Sequence, residues 1–318
     1  METVKLDYAP KGVKFFYIYK PLAHPEYQNY VSPINIQERL MHIMEAKRRL
    51  GSSITWLADS MDNVYHDASG QTPNSEVVVN PDGIIEVARS WSDPEALRED
   101  LERLVGDVDY ETQISDLDMP TQPMISTVAK GVVPRVVKTE QFRPMLSKAI
   151  QETSKVPFYT KLRVEGTDEL YTTGKGTMYV GFHLDPLYRV HWNNEAPPMQ
   201  FEITAPDGVN ITPSKVVGPD PEEDADADPR EFLLKVDAAE AGSTVDLQVK
   251  YYACDDALTF CVPVTQDYSV TLARDSSHGA SIQTGADGGI VSGGNRNRAM
   301  GAGMGAGMGA PPGGAPPD

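Results

Sequence analysis

The chain carries two cysteines, Cys254 and Cys261, within one short stretch, Tyr251-Tyr252-Ala253-Cys254-Asp255-Asp256-Ala257-Leu258-Thr259-Phe260-Cys261-Val262-Pro263. A strand-like run from Val245 to Ala253 leads into the pair, and another from Val262 to Leu272 leads out. If the runs pair as a hairpin, the thiols face each other across its mouth. Cysteines whose Cα atoms lie within about 7 Å can be bridged without moving backbone. A pair that opens and closes there carries two electrons. The other reading is a static staple in an extracytoplasmic domain, because most cysteine pairs in secreted proteins are structural. Asp255 and Asp256 sit beside Cys254 and are expected to disfavour its thiolate. Such a thiol waits for a docked partner instead of reacting spontaneously.

The segment that must position the pair is all-β by pattern. From Phe158 to Leu272, short alternating runs such as Tyr159–Val164, Met178–His183 and Leu247–Tyr251 are separated by turn signals, with no competing helical period. Its end, Tyr251-Tyr252-Ala253-Cys254 … Phe260-Cys261-Val262-Pro263 … Tyr268-Ser269-Val270, resembles a DsbD N-terminal-type domain. The run Leu187–Trp192 followed by Pro197–Ile203 resembles that family's strand pair before the redox hairpin. The resemblance covers about Pro157 to Asp275. It implies an immunoglobulin-like sandwich with Cys254 and Cys261 as redox pair, Phe260 and Pro263 shaping their surroundings, and thioredoxin-like thiol–disulfide proteins as partners. Two features depart from the family. The gap of six residues between the cysteines is longer than expected, and the region of its aromatic cap loop, Gly218 to Phe232, is mostly acidic here.

With 318 residues there is room for two domains and linkers, and 40% hydrophobic residues suffice for real cores. A formal net charge of −18 argues against nucleic acid and anionic membrane surfaces as partners. No run approaches the roughly 18 apolar residues of a membrane helix. Met1-Glu2-Thr3-Val4-Lys5-Leu6 is no signal peptide, which taken literally means cytoplasm. The cysteine pair and the resemblance instead imply a periplasmic or otherwise extracytoplasmic setting.

The first 106 residues read as strand, helix, strand, hairpin, helix. Val13–Tyr19 is a buried strand; Asn35 with Glu38 starts a helix with Ile36, Leu40, Ile43, Met44 and Leu50 inward, ended by Gly51. Ile54–Leu57 is a short strand, and Glu76–Val87 a hairpin around Asp82-Gly83. Asp93 caps and Pro94 opens a helix with Leu97, Leu101 and Leu104 inward. This is the back half of a thioredoxin fold, with Pro73 in the place of its cis-proline. Phe15–Tyr19 with Ala23-His24-Pro25, Trp56–Asn63 and Pro73–Glu76 resemble the iodothyronine deiodinase-like branch of thioredoxin-like proteins. The resemblance implies a catalytic cysteine or selenocysteine ahead of Val13, where this chain has none, and a role near that centre for His24. The alternative for His24 is a loop-shaping residue before Pro25. Glu26, Trp56 and Asn63 read as loop or packing residues. The strand that carries the nucleophile is also missing, which predicts either a truncated or mis-started chain or a degenerate domain whose two orphan strand edges pair directly.

Residues 107–156 read as a linker, with Met119–Pro123 extended, a possible strand at Pro134–Lys138 and a possible helix at Glu140–Glu152. The acidic run Pro219–Glu231 lacks the glycine and glutamate of a calcium loop and reads as a solvated loop. From Ser276 to residue 318, Gly, Ala, Met and Pro dominate, as in disordered tails. Met300, Met304 and Met308 repeat every four residues; thioethers suit Cu(I), and the reading set against that is low-complexity disorder. His24, His42, His66, His183, His191 and His278 have no metal-ligand spacing, and no phosphate loop or nucleophile elbow is present. No metal or cofactor is implied. The expectation is a partial thioredoxin-like domain (1–106), a linker (107–156), a β-sandwich (157–275) and a disordered tail (276–318). The leading function is thiol–disulfide exchange through Cys254 and Cys261. The alternative is a binding or scaffold protein with a structural disulfide. Deiodinase- or peroxiredoxin-type activity belongs only to a longer product that contains the missing nucleophile.

Overall fold

A computed structural model of the chain describes residues 1–23, 25, 30–118, 129–238, 242–257, 259–275, 283–284 and 290–292. The expectations for Met119–Pro123, Met300, Met304, Met308 and His278 fall outside these residues. A mixed α/β region is followed by a large antiparallel sheet curled into a half-barrel.

The α/β region contains α1 (Glu2–Tyr8), β1 (Phe16–Tyr19), α2 (Ile36–Leu50), β2 (Thr55–Ala58), α3 (Val64–Ala68), β3 (Glu76–Val79), β4 (Ile85–Arg89) and α4 (Pro94–Val105). Local chemistry sets the ends of these elements. Asn35 Oδ1 accepts from the Glu38 amide at 3.0 Å to start α2, and Gly51, at φ 59°, ends it. Asp93 accepts from the Glu95 and Ala96 amides at the head of α4. At the turn after β3, Asn80 Oδ1 accepts from the Asp82 and Ile84 amides, and Gly83 takes a φ of 81°.

Several expectations for this region are overturned. Strand β1 pairs in parallel with β2, while β3 and β4 form a separate hairpin sheet. The orphan edges therefore do not pair, and the Val13–Tyr19 segment is not a buried strand: Phe16 is 55% exposed. The peptide bond before Pro73 is trans; among the described residues the cis bond is Thr212–Pro213. Leu97 and Leu101 of α4 pack inward on Val4 and Tyr8 of α1, but Leu104 stays exposed.

Helix α2 turns most of its apolar stripe outward, Ile43 excepted. Ile36, Leu40, Met44 and Leu50 are exposed, whereas Glu38, Arg39, His42 and Ile43 are buried. The cause is the polar surface it meets. Glu38 Oε1 lies 2.9 Å from Lys161 Nζ and 3.0 Å from the Tyr188 hydroxyl, both in the half-barrel. Arg39 donates to the Asp59 and Ser60 carbonyls and to Asn63, and His42 shares a 2.6 Å hydrogen bond with Tyr19.

The half-barrel contains β5 (Phe142–Ala149), β6 (Thr160–Thr167), α5 (Asp168–Thr173), β7 (Lys175–Leu184), β8 (Val190–Asn193), β9 (Gln200–Thr204), β10 (Val209–Thr212), β11 (Lys215–Val217), β12 (Ala225–Asp226), β13 (Arg230–Ala238), β14 (Thr244–Asp255) and β15 (Cys261–Arg274). Its strand order is β10-β13-β7-β6-β5-β15-β14-β8-β12, with β9 and β11 added beside β14. One apolar core fills the concave side, where Phe182 of β7 meets Phe201 of β9 at 5.3 Å between ring centroids.

Strand β5 replaces the helix expected at Glu140–Glu152. Pro144 has no amide proton for a helix interior. Its position is instead where the strand changes partner, from β6 through Pro144↔Glu165 to β15 from Met145↔Arg274 onward. Pro134–Lys138 is not a strand; side chains of the acidic run hold it and its approach. Asp228 accepts from the Gly131, Val132 and Val133 amides, and Glu231 from the Val136 amide and the Arg135 guanidinium. The acidic run is therefore not simply a solvated loop. Asp226 is fully buried and paired with the buried Arg230 at 2.7 Å, and Asp228 is buried beside it.

Two buried groups tie this sheet to pH. Burial pushes His183 from 6.5 down to about 3. Burial works against the charge of Glu231, yet the hydrogen bond and charge of Arg135, with the Tyr179 hydroxyl, hold it down from 4.5 to about 2. Both folded values lie below the ordinary ones, so the unfolded chain takes up more protons on acidification. The stability tied to these groups is complete above pH 6.5 and declines toward about 3 for His183 and about 2 for Glu231. Thermal denaturation as a function of pH should show a loss beginning below about pH 6.5, with His183 accounting for on the order of 2 kcal/mol by about pH 4.5. His183→Gln should flatten that upper limb and leave the acid-most limb.

Candidate functional site

Strand β14 alternates inward and outward. Val245, Leu247, Val249, Tyr251 and Ala253 face the core, and Asp246, Gln248 and Lys250 face out. Cys254 continues the outward series, so the cysteine pair lies on the outer side of the sheet and not in the apolar core. The antiparallel ladder between β14 and β15 runs from Thr244↔Thr271 to Cys254↔Cys261, its last rung. The two sulfurs are bonded, with Cα atoms 4.0 Å apart. The two cysteines are not equivalent: Cys254 is 2% exposed, whereas Cys261 is open to solvent.

The other edge of β14 carries β8, in the register Cys254↔His191, Ala253↔Trp192 and Asp255↔Val190. Directly opposed residues of antiparallel strands project to the same face, with Cβ atoms about 4.5–5.5 Å apart. His191 is therefore the flank neighbour of Cys254, and it is 3% exposed. Its Nδ1 lies 3.3 Å from Asp256 Oδ1.

The two aspartates beside Cys254 have different tasks. Asp255 builds the turn: its carboxylate accepts from the Thr259 and Phe260 amides at 2.6 and 2.8 Å and from the Thr259 hydroxyl at 2.7 Å. The Phe260 amide and then the Thr259 hydroxyl hold its carboxyl below the usual aspartate range. Asp256 turns to His191, and its amide donates to the Arg189 carbonyl at 2.9 Å. Phe260 is 36% exposed and stands 6.1 Å from the Tyr159 ring, which meets Tyr188 at 5.3 Å. These aromatic rings, and not the Gly218–Phe232 segment, border the mouth. The latter is occupied at the far edge of β8, where Asp226 pairs with Trp192. Pro263 lies in the ladder opposite Tyr252 and donates no hydrogen bond there.

Of the other residues singled out in the sequence, Trp56 and Asn63 lie away from this mouth. His24 and Glu26 lie outside the described residues. Trp56 stacks on Tyr17 at 4.7 Å and donates to Ser52, and Asn63 accepts from Arg39. Among the described residues, no group of three or more His, Cys, Asp and Glu side chains is placed to hold a metal ion, and no helix is long and apolar enough to cross a membrane. The sequence reading missed His191, Tyr159 and Tyr188. Alternation could have put His191 on one face of its strand, but no local signal gives the register that places it beside Cys254.

Compared with protein-family models, curated proteins and solved structures, the chain matches none.

The Asp255 carboxylate should be what keeps the turn closed. Asp255→Ala is expected to lower the midpoint of denaturant unfolding of the oxidised protein. It should also speed hydrogen exchange at the Thr259 and Phe260 amides, while exchange in the middle of the β14–β15 ladder stays slow.

Proposed function

We propose that the protein exchanges disulfides with dithiol partner proteins through Cys254 and Cys261. The observation that carries this reading is the placement of the pair: on the last rung of a hairpin, on the outer face of the sheet, with one sulfur-bearing residue buried and the other exposed. A disulfide whose task is to hold a core together has no need of that position, because the ladder already keeps the two strands in register. A partner thiolate reaches Cys261 from solvent and attacks its sulfur in line with the S–S bond. Cys254 leaves as the thiolate, and a mixed disulfide forms between the partner and Cys261. A second partner thiol then attacks its own sulfur in the mixed disulfide and frees Cys261. The partner leaves as a disulfide and this chain holds two thiols. The reverse sequence passes the electrons to the next acceptor, with Cys254 resolving.

The finer fold reading belongs to the same proposal. A strand shared between two halves of the sheet, and inner faces packed through Phe182 and Phe201, support an immunoglobulin-like sandwich of the DsbD N-terminal type. The preceding β–α–β unit with its separate hairpin and closing helix supports a thioredoxin-like half-domain without thiol chemistry of its own. Partners are thioredoxin-like proteins of an oxidising, extracytoplasmic compartment, where such a pair persists.

Redox titration of the purified chain, with thiols trapped and counted by mass spectrometry, tests this reading. The midpoint is expected between about −270 and −120 mV, the span of exchange proteins. A midpoint below about −300 mV marks a structural bond and moves the reading to a scaffold protein.

A further inference from the structure

The exchange chemistry just proposed leaves one charge in an awkward place. When Cys261 is attacked, the electron pair of the S–S bond stays on Cys254, which is 2% exposed. A thiolate formed there loses most of its hydration, and a buried unpaired charge is costly. Asp255 and Asp256, next in the chain, add negative charge instead of relieving it. A group that delivers a proton to that sulfur would remove the difficulty.

We infer that His191 is the proton donor to the leaving sulfur of Cys254, and the base that takes the proton back when Cys254 resolves, with Asp256 positioning the ring. This assignment rests on the exchange reading above. Three observations place the ring. Cys254 and His191 are paired residues of adjacent antiparallel strands, so their side chains share a face. Asp256 stands in the turn just past the end of β14, its amide held by the Arg189 carbonyl, and His191 Nδ1 is 3.3 Å from its carboxylate. The ring is thus held from the turn that follows Cys254. With Nδ1 turned to Asp256, Nε2 is the nitrogen free to exchange a proton. Imidazole is the side chain whose unperturbed range falls between about pH 5 and 8.

The step balances. A partner thiolate forms a bond to the Cys261 sulfur as the Cys254–Cys261 bond breaks. The Cys254 sulfur takes the electron pair and the Nε2 proton, and neutral imidazole remains. The second partner thiol loses its proton as it attacks the partner sulfur of the mixed disulfide, and Cys261 leaves with the electron pair and gains a proton from solvent. In total, two electrons and two protons pass from the partner dithiol to the pair. The charged groups around the ring are few. Asp256 faces it from the turn, and Asp255 is directed to Thr259 and Phe260. Asp226, opposite Trp192 on the rung of Ala253 and not of Cys254, is paired with Arg230. On β8's own approach, Arg189 enters through its backbone carbonyl.

The test is the rate of reduction of the full-length oxidised chain by dithiothreitol across pH 5 to 9, normalised to the reductant's thiolate. In the unaltered chain, the normalised rate should fall as rising pH removes the donor proton. His191→Gln should abolish that fall and slow reduction below it by about 10²-fold. Asp256→Asn, which leaves the buried ring in place, should weaken the fall by a smaller factor, and it serves as the readout if His191→Gln does not fold. A His191→Gln or Asp256→Asn chain with unchanged rate and unchanged pH profile, in a protein whose midpoint lies in the exchange range, overturns the role of His191 and leaves the exchange reading standing. A midpoint below about −300 mV in the unaltered chain removes the exchange reading itself, and this role with it.

Discussion

Strand β14 has hydrogen-bonded neighbours on both edges, with β15 along its length on one side and β9 then β8 on the other. That double pairing fixes every feature of the candidate site. The β15 ladder ends on Cys254↔Cys261, the β8 ladder sets His191 beside Cys254, and the strand's alternation sends this cluster to the outer face while Tyr251 and Ala253 anchor the core beneath. A slip of one residue in the pairing with β8 would turn His191 to the opposite face, because side chains alternate with a period of two. The site is therefore a consequence of register more than of any single side chain.

Buried polar groups, beside Ile34 packed on the half-barrel core, join the α/β region to the half-barrel. Glu38 reaches Lys161 and Tyr188, and Lys161 also lies 3.3 Å from Asp185. Buried ion pairs contribute little net stability against a well-packed apolar contact, but breaking one leaves an uncompensated charge. Such a junction specifies how the parts meet more than it holds them. Tyr188 links it to the mouth of the hairpin through Tyr159 and Phe260. The same choice leaves apolar side chains of α2 and of the small sheets, among them Leu40, Met44, Phe16 and Leu57, facing out.

The acidic run shows how composition misleads when partners are distant. Asp226, Asp228 and Glu231 look like solvent-facing charges in a row. In the fold they are acceptors for Arg230, for three successive amides at Gly131–Val133, and for Arg135 and Tyr179. Apart from Arg230, four residues from Asp226, the donors lie far earlier in the chain, nearly a hundred residues in most cases, so no short window of sequence contains both halves of those interactions.

Local sequence by itself determined the elements whose cause is local. Asn35, Gly51 and Asp93 marked helix ends, Asp82-Gly83 marked a turn, and alternation from Phe158 to Leu272 marked an antiparallel β segment with the cysteines at a hairpin mouth. Each rests on backbone groups satisfied within a few residues or on a side-chain period of two. Tertiary structure decided what depends on contacts across the chain. It turned the polar face of α2 inward, made Phe142–Ala149 a strand that changes partner at Pro144, left β1 and β3 in separate sheets, and set His191 against Cys254. Helical periodicity says which residues share a face but not which face meets a partner. Strand alternation likewise fixes a side chain's parity but not the residue across from it, and the chemistry of a hairpin mouth is set by that residue.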